Sequence, residues 1–115
     1  MKAGVKMKTN RELYVDFALY TDNDPEFKAE LIDGMIDNLE ELEQAYFQSL
    51  TQQDPAFLRR AFHKVQTTLA MLNDTELNAV LEKMKDPAQG MGAIATYKQL
   101  KIAICASLLA EKALI

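Results

Sequence analysis

The chain holds one histidine and one cysteine, so nucleophilic or metal chemistry has few places to occur. His63 stands in the run Arg59-Arg60-Ala61-Phe62-His63-Lys64-Val65-Gln66-Thr67. A neutral imidazole offers a nucleophilic ring nitrogen, and phosphoryl transfer asks for little beyond that nitrogen, its positioning, and cations or hydrogen-bond donors for the phosphoryl oxygens. On a helix, Arg59 lies one turn before His63, Gln66 and Thr67 one turn after it, and Ala70 extends the same strip. Arg60 and Lys64 add positive charge on one flank. The expected site is therefore His63 as acceptor, with Lys64, Gln66, Thr67, Arg59 and Arg60 as stabilising groups. His63 and Cys105 are too far apart in sequence for a zinc cluster. Glu40, Glu41 and Glu43, with no second histidine to join them, read as a solvated helix face. No metal and no cofactor is expected. No glycine-rich phosphate loop or ATP-binding motif is present, so self-phosphorylation from ATP is not expected.

Whether that imidazole is accessible depends on the helix that carries it. Taking Leu58 as zero and advancing about 100° per residue, Leu58, Ala61, Phe62, Val65, Leu69 and Leu72 gather on a face centred at about 340°. His63 falls at about 140°, opposite the apolar stripe. A ring standing in water is expected rather than a core histidine.

The remaining elements follow from caps and periodicity. Asp22, Asn23 and Asp24 before Pro25 start a helix of about 26 residues, its apolar positions Phe27, Leu31, Met35, Leu39, Leu42, Tyr46 and Leu50 stepping by three or four. Thr51 to Gln53 form a short connection. Asp54 and Pro55 repeat the start signal for the helix of His63, and so brief a link brings the two helices into antiparallel contact. Asn73 and Glu76 have the spacing of a capping box for a shorter helix with Leu77, Val80, Leu81 and Met84, ending by Asp86. Pro87 to Gly92 is the interior loop, and Ile94, Tyr97, Leu100, Ile104 and Leu108 mark a last helix. Leu13, Tyr14, Phe17, Ala18 and Tyr20 suit a one- to two-turn capping helix. Residues 1–10 read as a disordered leader and residues 11–115 as one domain. The expected fold is all-α, an antiparallel up-and-down four-helix bundle with a short N-terminal capping helix.

Composition agrees with a folded helical domain. The 115 residues are 49% hydrophobic and 26% charged, with four glycines, three prolines and no tryptophan, which favours helices over turn-rich sheets. The formal charge of -4 and a pI near 5.0 argue against a nucleic-acid partner, which needs clustered cations. No stretch reads as the roughly 18 apolar residues of a membrane span, so no membrane partner and a cytoplasmic location are expected. Cys105, among Ile102, Ile104 and Leu108, reads as a small buried hydrophobe.

At Ala61-Phe62-His63-Lys64-Val65-Gln66-Thr67-Thr68-Leu69 the chain resembles the histidine-containing phosphotransfer (HPt) domain, whose pattern is alanine, any residue, histidine, any residue, leucine, lysine, glycine. The likeness runs from Leu13 to the end, and the aspartate-led helix with Pro25, Glu26 and Phe27 is similar to the helix preceding the phosphoacceptor helix in that family. Two departures from it matter: Gln66 stands where the family has lysine, and Thr67 where it has glycine. The resemblance implies a two-component phosphorelay in which His63 exchanges a phosphoryl group with an aspartate of a response-regulator receiver domain, with a hybrid histidine kinase as a further partner and any Mg²⁺ held by the receiver. The two departures leave an alternative, a degenerate relay-like bundle that only docks. A monomer is expected, Leu108, Leu109, Leu114 and Ile115 reading as core and end cap rather than as a dimer face.

Overall fold

The computed structural model describes residues 11–86 and 88–115; the leader expected over residues 1–10 lies outside them. The described residues form five helices, α1 (Phe17–Thr21), α2 (Pro25–Gln52), α3 (Ala56–Leu72), α4 (Thr75–Met84) and α5 (Gly90–Ala113), and no strand among them. The all-helical expectation is met.

Aspartates open four of these helices by accepting from otherwise unpaired backbone N–H groups. Asp16 accepts from Leu19 N at 3.1 Å, Asp24 from Glu26 N and Phe27 N at 3.0 and 3.2 Å, Asp54 from Ala56 N at 2.9 Å, and Asp74 from Leu77 N at 2.9 Å. The expected Asn73–Glu76 box is thus displaced by one residue. Asn73 instead ends α3 in the left-handed region, φ 47°, which asparagine tolerates, and Glu76 is drawn away to Arg11. The Thr51–Gln53 connection shrinks in the same way: α2 continues to Gln52, and Gln53 turns the chain at φ 55°. The interior loop is also shorter than expected, because α5 already begins at Gly90 and takes in Gly92. A Cβ on Gly90 would meet the Tyr46 hydroxyl at 2.8 Å, so the start of α5 sits close against α2.

α2 packs against α1, α3 and α5, and α4 packs against α5. The buried stripe of α2 is Ile32, Met35, Leu39, Leu42, Ala45 and Tyr46. Phe27 and Leu50, expected on that stripe, lie near its two ends and remain 48% and 45% exposed; Ile32, fully buried, takes their place. Polar ties fix the register. Asn38 Nδ2 donates to Thr68 Oγ1 at 2.7 Å, Leu58 N to Ser49 Oγ at 2.9 Å, and the buried Tyr97 hydroxyl to Leu39 O at 2.6 Å. Burial pushes the Tyr97 phenol well up, which keeps it a neutral donor.

Glu43 is not the solvated residue expected. It and Glu40 each place an oxygen 2.7 Å from Lys101 Nζ of α5. Burial alone pushes the Lys101 ammonium down, but the two carboxylates together outweigh it and the net shift is upward. Against expectation, α5 is long and apolar enough, by length and composition, to cross a membrane. The reason is that it is apolar around most of its circumference: Ala93, Ile94, Tyr97, Leu100, Ile104 and Leu108 are buried, while Met91, Ile102 and Leu109 are exposed.

Ahead of α1, Arg11 Nε and Nη2 donate to the two oxygens of the buried Asp74 at 2.6 and 2.9 Å, and Nη2 donates also to Glu76 at 2.8 Å. Ser107 Oγ of α5 accepts from Arg11 N and donates to Arg11 O. The Arg11 hydrogen bond, aided by Leu77 N–H and opposed by burial, holds the Asp74 carboxyl below its usual range. A lowered folded-state pKa stabilises the fold above the ordinary carboxylate range, and that contribution is lost as pH falls through the folded value. Asp74→Asn keeps a capping oxygen but loses the charge; it should cost about 1–3 kcal/mol in urea unfolding at pH 7, with the gap to wild type closing below about pH 4. A gap independent of pH would contradict this account. Tyr97→Phe should cost about 1 kcal/mol in the same assay.

Candidate functional site

His63 lies near the middle of α3 and is exposed. The buried residues of α3 are Leu58, Ala61, Val65, Thr68 and Leu72, centred at about 320° on the wheel used above. Thr68 enters the buried set through its bond to Asn38, whereas Phe62 and Leu69 are only half-buried. The buried face therefore leans toward α2, and His63 stands directly opposite its centre. Its ring takes part in no side-chain hydrogen bond or ion pair among the described residues.

Arg59, Gln66, Thr67 and Ala70 are all exposed on the same outer strip as His63. The nearby cations separate into distinct surroundings. Lys64 Nζ lies 3.1 Å from Glu41 Oε2 on α2, and the Arg60 guanidinium sits 5.1 Å from the centre of the Phe57 ring. Both residues border the cleft between α2 and α3. Lys85, at the end of α4, lies 4.7 Å above the Phe62 ring and is bonded to Glu82 at 2.9 Å. Arg59 enters no ion pair, side-chain hydrogen bond or aromatic contact among the described residues.

Beside this strip is a cavity of about 340 Å³ lined by Pro55, Leu58, Arg59, Phe62 and Lys85. Sequence reasoning found Arg59 but not the cavity. Its far wall is Lys85, whose arrival against Phe62 depends on how α4 folds back rather than on any local pattern.

No group of three or more histidine, cysteine, aspartate or glutamate side chains that could hold a metal ion occurs among the described residues. Cys105 is half-buried, and burial pushes its thiol up in spite of the nearby Lys101. Elevated and partly enclosed, it is a poor nucleophile.

An exposed side chain with no partner should contribute little to folding. His63→Gln is expected to shift the unfolding free energy by less than about 0.5 kcal/mol, measured by urea titration followed by circular dichroism; a loss several times larger would mean the ring is packed. No family model, no curated protein and no solved structure matches this chain.

Proposed function

We propose that this chain is a histidine phosphotransfer protein of a two-component phosphorelay, carrying a phosphoryl group on His63 to or from receiver-domain aspartates. The observation that supports this most is an exposed imidazole, unbonded among the described residues, on the outer face of α3 opposite that helix's buried stripe. In such a transfer a ring nitrogen attacks the phosphorus of an aspartyl phosphate. The N–P bond forms as the P–O bond breaks, the aspartate carboxylate leaves with the electron pair, and the other ring nitrogen releases its proton to water. Exposed Gln66 and Thr67 can donate hydrogen bonds to the equatorial oxygens. Any Mg²⁺ in the reaction belongs to the receiver.

The scaffold in this reading is an antiparallel up-and-down bundle of α2 to α5 capped by α1. In support of it, the ties 38–68, 41–64 and 49–58 run in opposite order along α2 and α3. Along α2 and α5, the ties 28–111 and 33–112 gather near the start of α2 and the end of α5 while 40–101 lies further along α2 and earlier in α5, the same antiparallel sense. A monomer in the cytoplasm is part of the same proposal, with α5 serving as a core helix.

A second reading, a bundle that docks on a receiver or kinase without transferring, is favoured by one observation. Lys64, the cation next in sequence to His63, is engaged by Glu41, and Gln66 carries no charge. Incubation with a panel of phosphorylated receiver domains separates the two. Wild type is expected to acquire acid-labile label and His63→Gln none. Binding without label establishes docking alone, and equal labelling of both proteins removes His63 from the mechanism.

A further inference from the structure

We infer that Arg59 is the cation that holds the phosphoryl group on His63, on the side of the ring facing the cavity between α3 and the end of α4. This assignment rests on the reading of His63 as a phosphoryl acceptor and specifies the charge that reading leaves open.

Four cations lie near enough to be considered, and their surroundings differ. Lys64 is committed to Glu41, and Arg60 lies against Phe57 on the α2 side of the helix. Using either for a group on His63 means giving up an existing contact and reaching around α3. Lys85 is shared between Glu82 and the Phe62 ring. Only Arg59, among the described residues, has its charge unengaged while sharing the outer strip with His63.

Direction reinforces the choice. The Cα–Cβ bond of a helical residue tilts toward the N-terminus, so the His63 ring leans back over the turn that carries Arg59. Residues four apart on a helix have Cβ atoms about 5–6 Å apart, a span the long arginine side chain closes easily. At about 100° on the wheel, Arg59 stands between His63 and Phe62, and it lines the same cavity as Phe62 and Lys85. A phosphoryl group carried on His63 and turned to this side meets the guanidinium fork, whose paired N–H donors match two phosphoryl oxygens.

Phosphoramidate is a suitable probe because it phosphorylates an accessible imidazole directly, the N–P bond to the ring replacing the one to departing ammonia, with no receiver involved. His63 is the sole histidine, so in the untagged full chain phosphohistidine measured by ³¹P NMR reports this ring alone. Arg59→Ala is expected to slow uptake about fivefold at low salt. The difference should largely vanish in 1 M NaCl, where charges are screened beyond about 3 Å, and Arg59→Lys should restore part of the rate. Lys98→Ala, a cation on α5, serves as the control for net charge and should match wild type. Equal uptake by wild type and Arg59→Ala, or a larger loss in Lys64→Ala than in Arg59→Ala, overturns the assignment. Absence of any uptake by wild type overturns both this inference and the acceptor reading. Uptake that depends on Arg59 in a protein that takes nothing from phosphorylated receivers upholds the inference and ends the relay reading alone.

Discussion

α2 has to bury a single stripe of side chains against two long helices at once, and the rest of the molecule follows from how it does so. Ile32, Met35, Leu39, Leu42 and Tyr46 fill the space between α3 and α5, and apolar burial of this kind is the main favourable term in folding a domain of this size. Burial sets no register by itself. That is supplied by the polar ties that cross the same seam, Asn38 to Thr68 on one side and Tyr97 to the Leu39 carbonyl on the other. The second is buried and the first partly so, and away from water an unmade hydrogen bond costs more than a made one contributes. Sliding either helix by one turn would strand a buried polar group.

Once α3 is seated this way, the outward direction of His63 is fixed. The face of α3 turned toward α2 holds Ala61, Val65 and Thr68, the small and β-branched residues that let two helices approach, while His63 stands half a turn away. The same seating sorts the cations. Lys64 and Arg60 lie on the shoulder facing α2 and find Glu41 and Phe57 there. Arg59 lies on the other shoulder, where no carboxylate among the described residues meets it. Packing thus leaves one positive charge unengaged on the strip that carries the imidazole, although nothing about packing required that outcome.

The helices were legible wherever an aspartate cap or a proline coincided with a change in apolar period, as at Asp24-Pro25 and Asp54-Pro55, and there the expected starts hold to within one residue. They were less legible where two residues competed for one role. Asn73 and Asp74 can both cap a helix; the structure uses Asn73 to end α3 and Asp74 to begin α4, a division that depends on Arg11 arriving from far along the chain. Gly90 and Gly92 read as loop because glycine is a poor helix former, yet Gly90 is there so that α5 can start against Tyr46. The outward direction of His63 was legible because one helix wheel decides it. The cavity beside it was not, since Lys85 and Phe62 meet only through tertiary packing.

A charge on a helix surface is usually solvated and worth little, and that is also why an unengaged arginine beside an exposed histidine has consequences for chemistry rather than for stability. Arg59 forms no ion pair among the described residues, so selection for stability has little hold on it. Under the proposed acceptor reading, its part is to keep positive potential within reach of the ring nitrogen that would carry a doubly negative group. Stability here comes from the seam between α2 and its neighbours and from the Arg11–Asp74 tie at the far end of α3. The outer strip of α3 is therefore free to change without unfolding the domain. Under the proposed relay reading, such a division lets Gln66 and Thr67 stand where a lysine and a glycine would strengthen and open the site: the helix still positions the imidazole, and the few exposed side chains around it would set its reactivity.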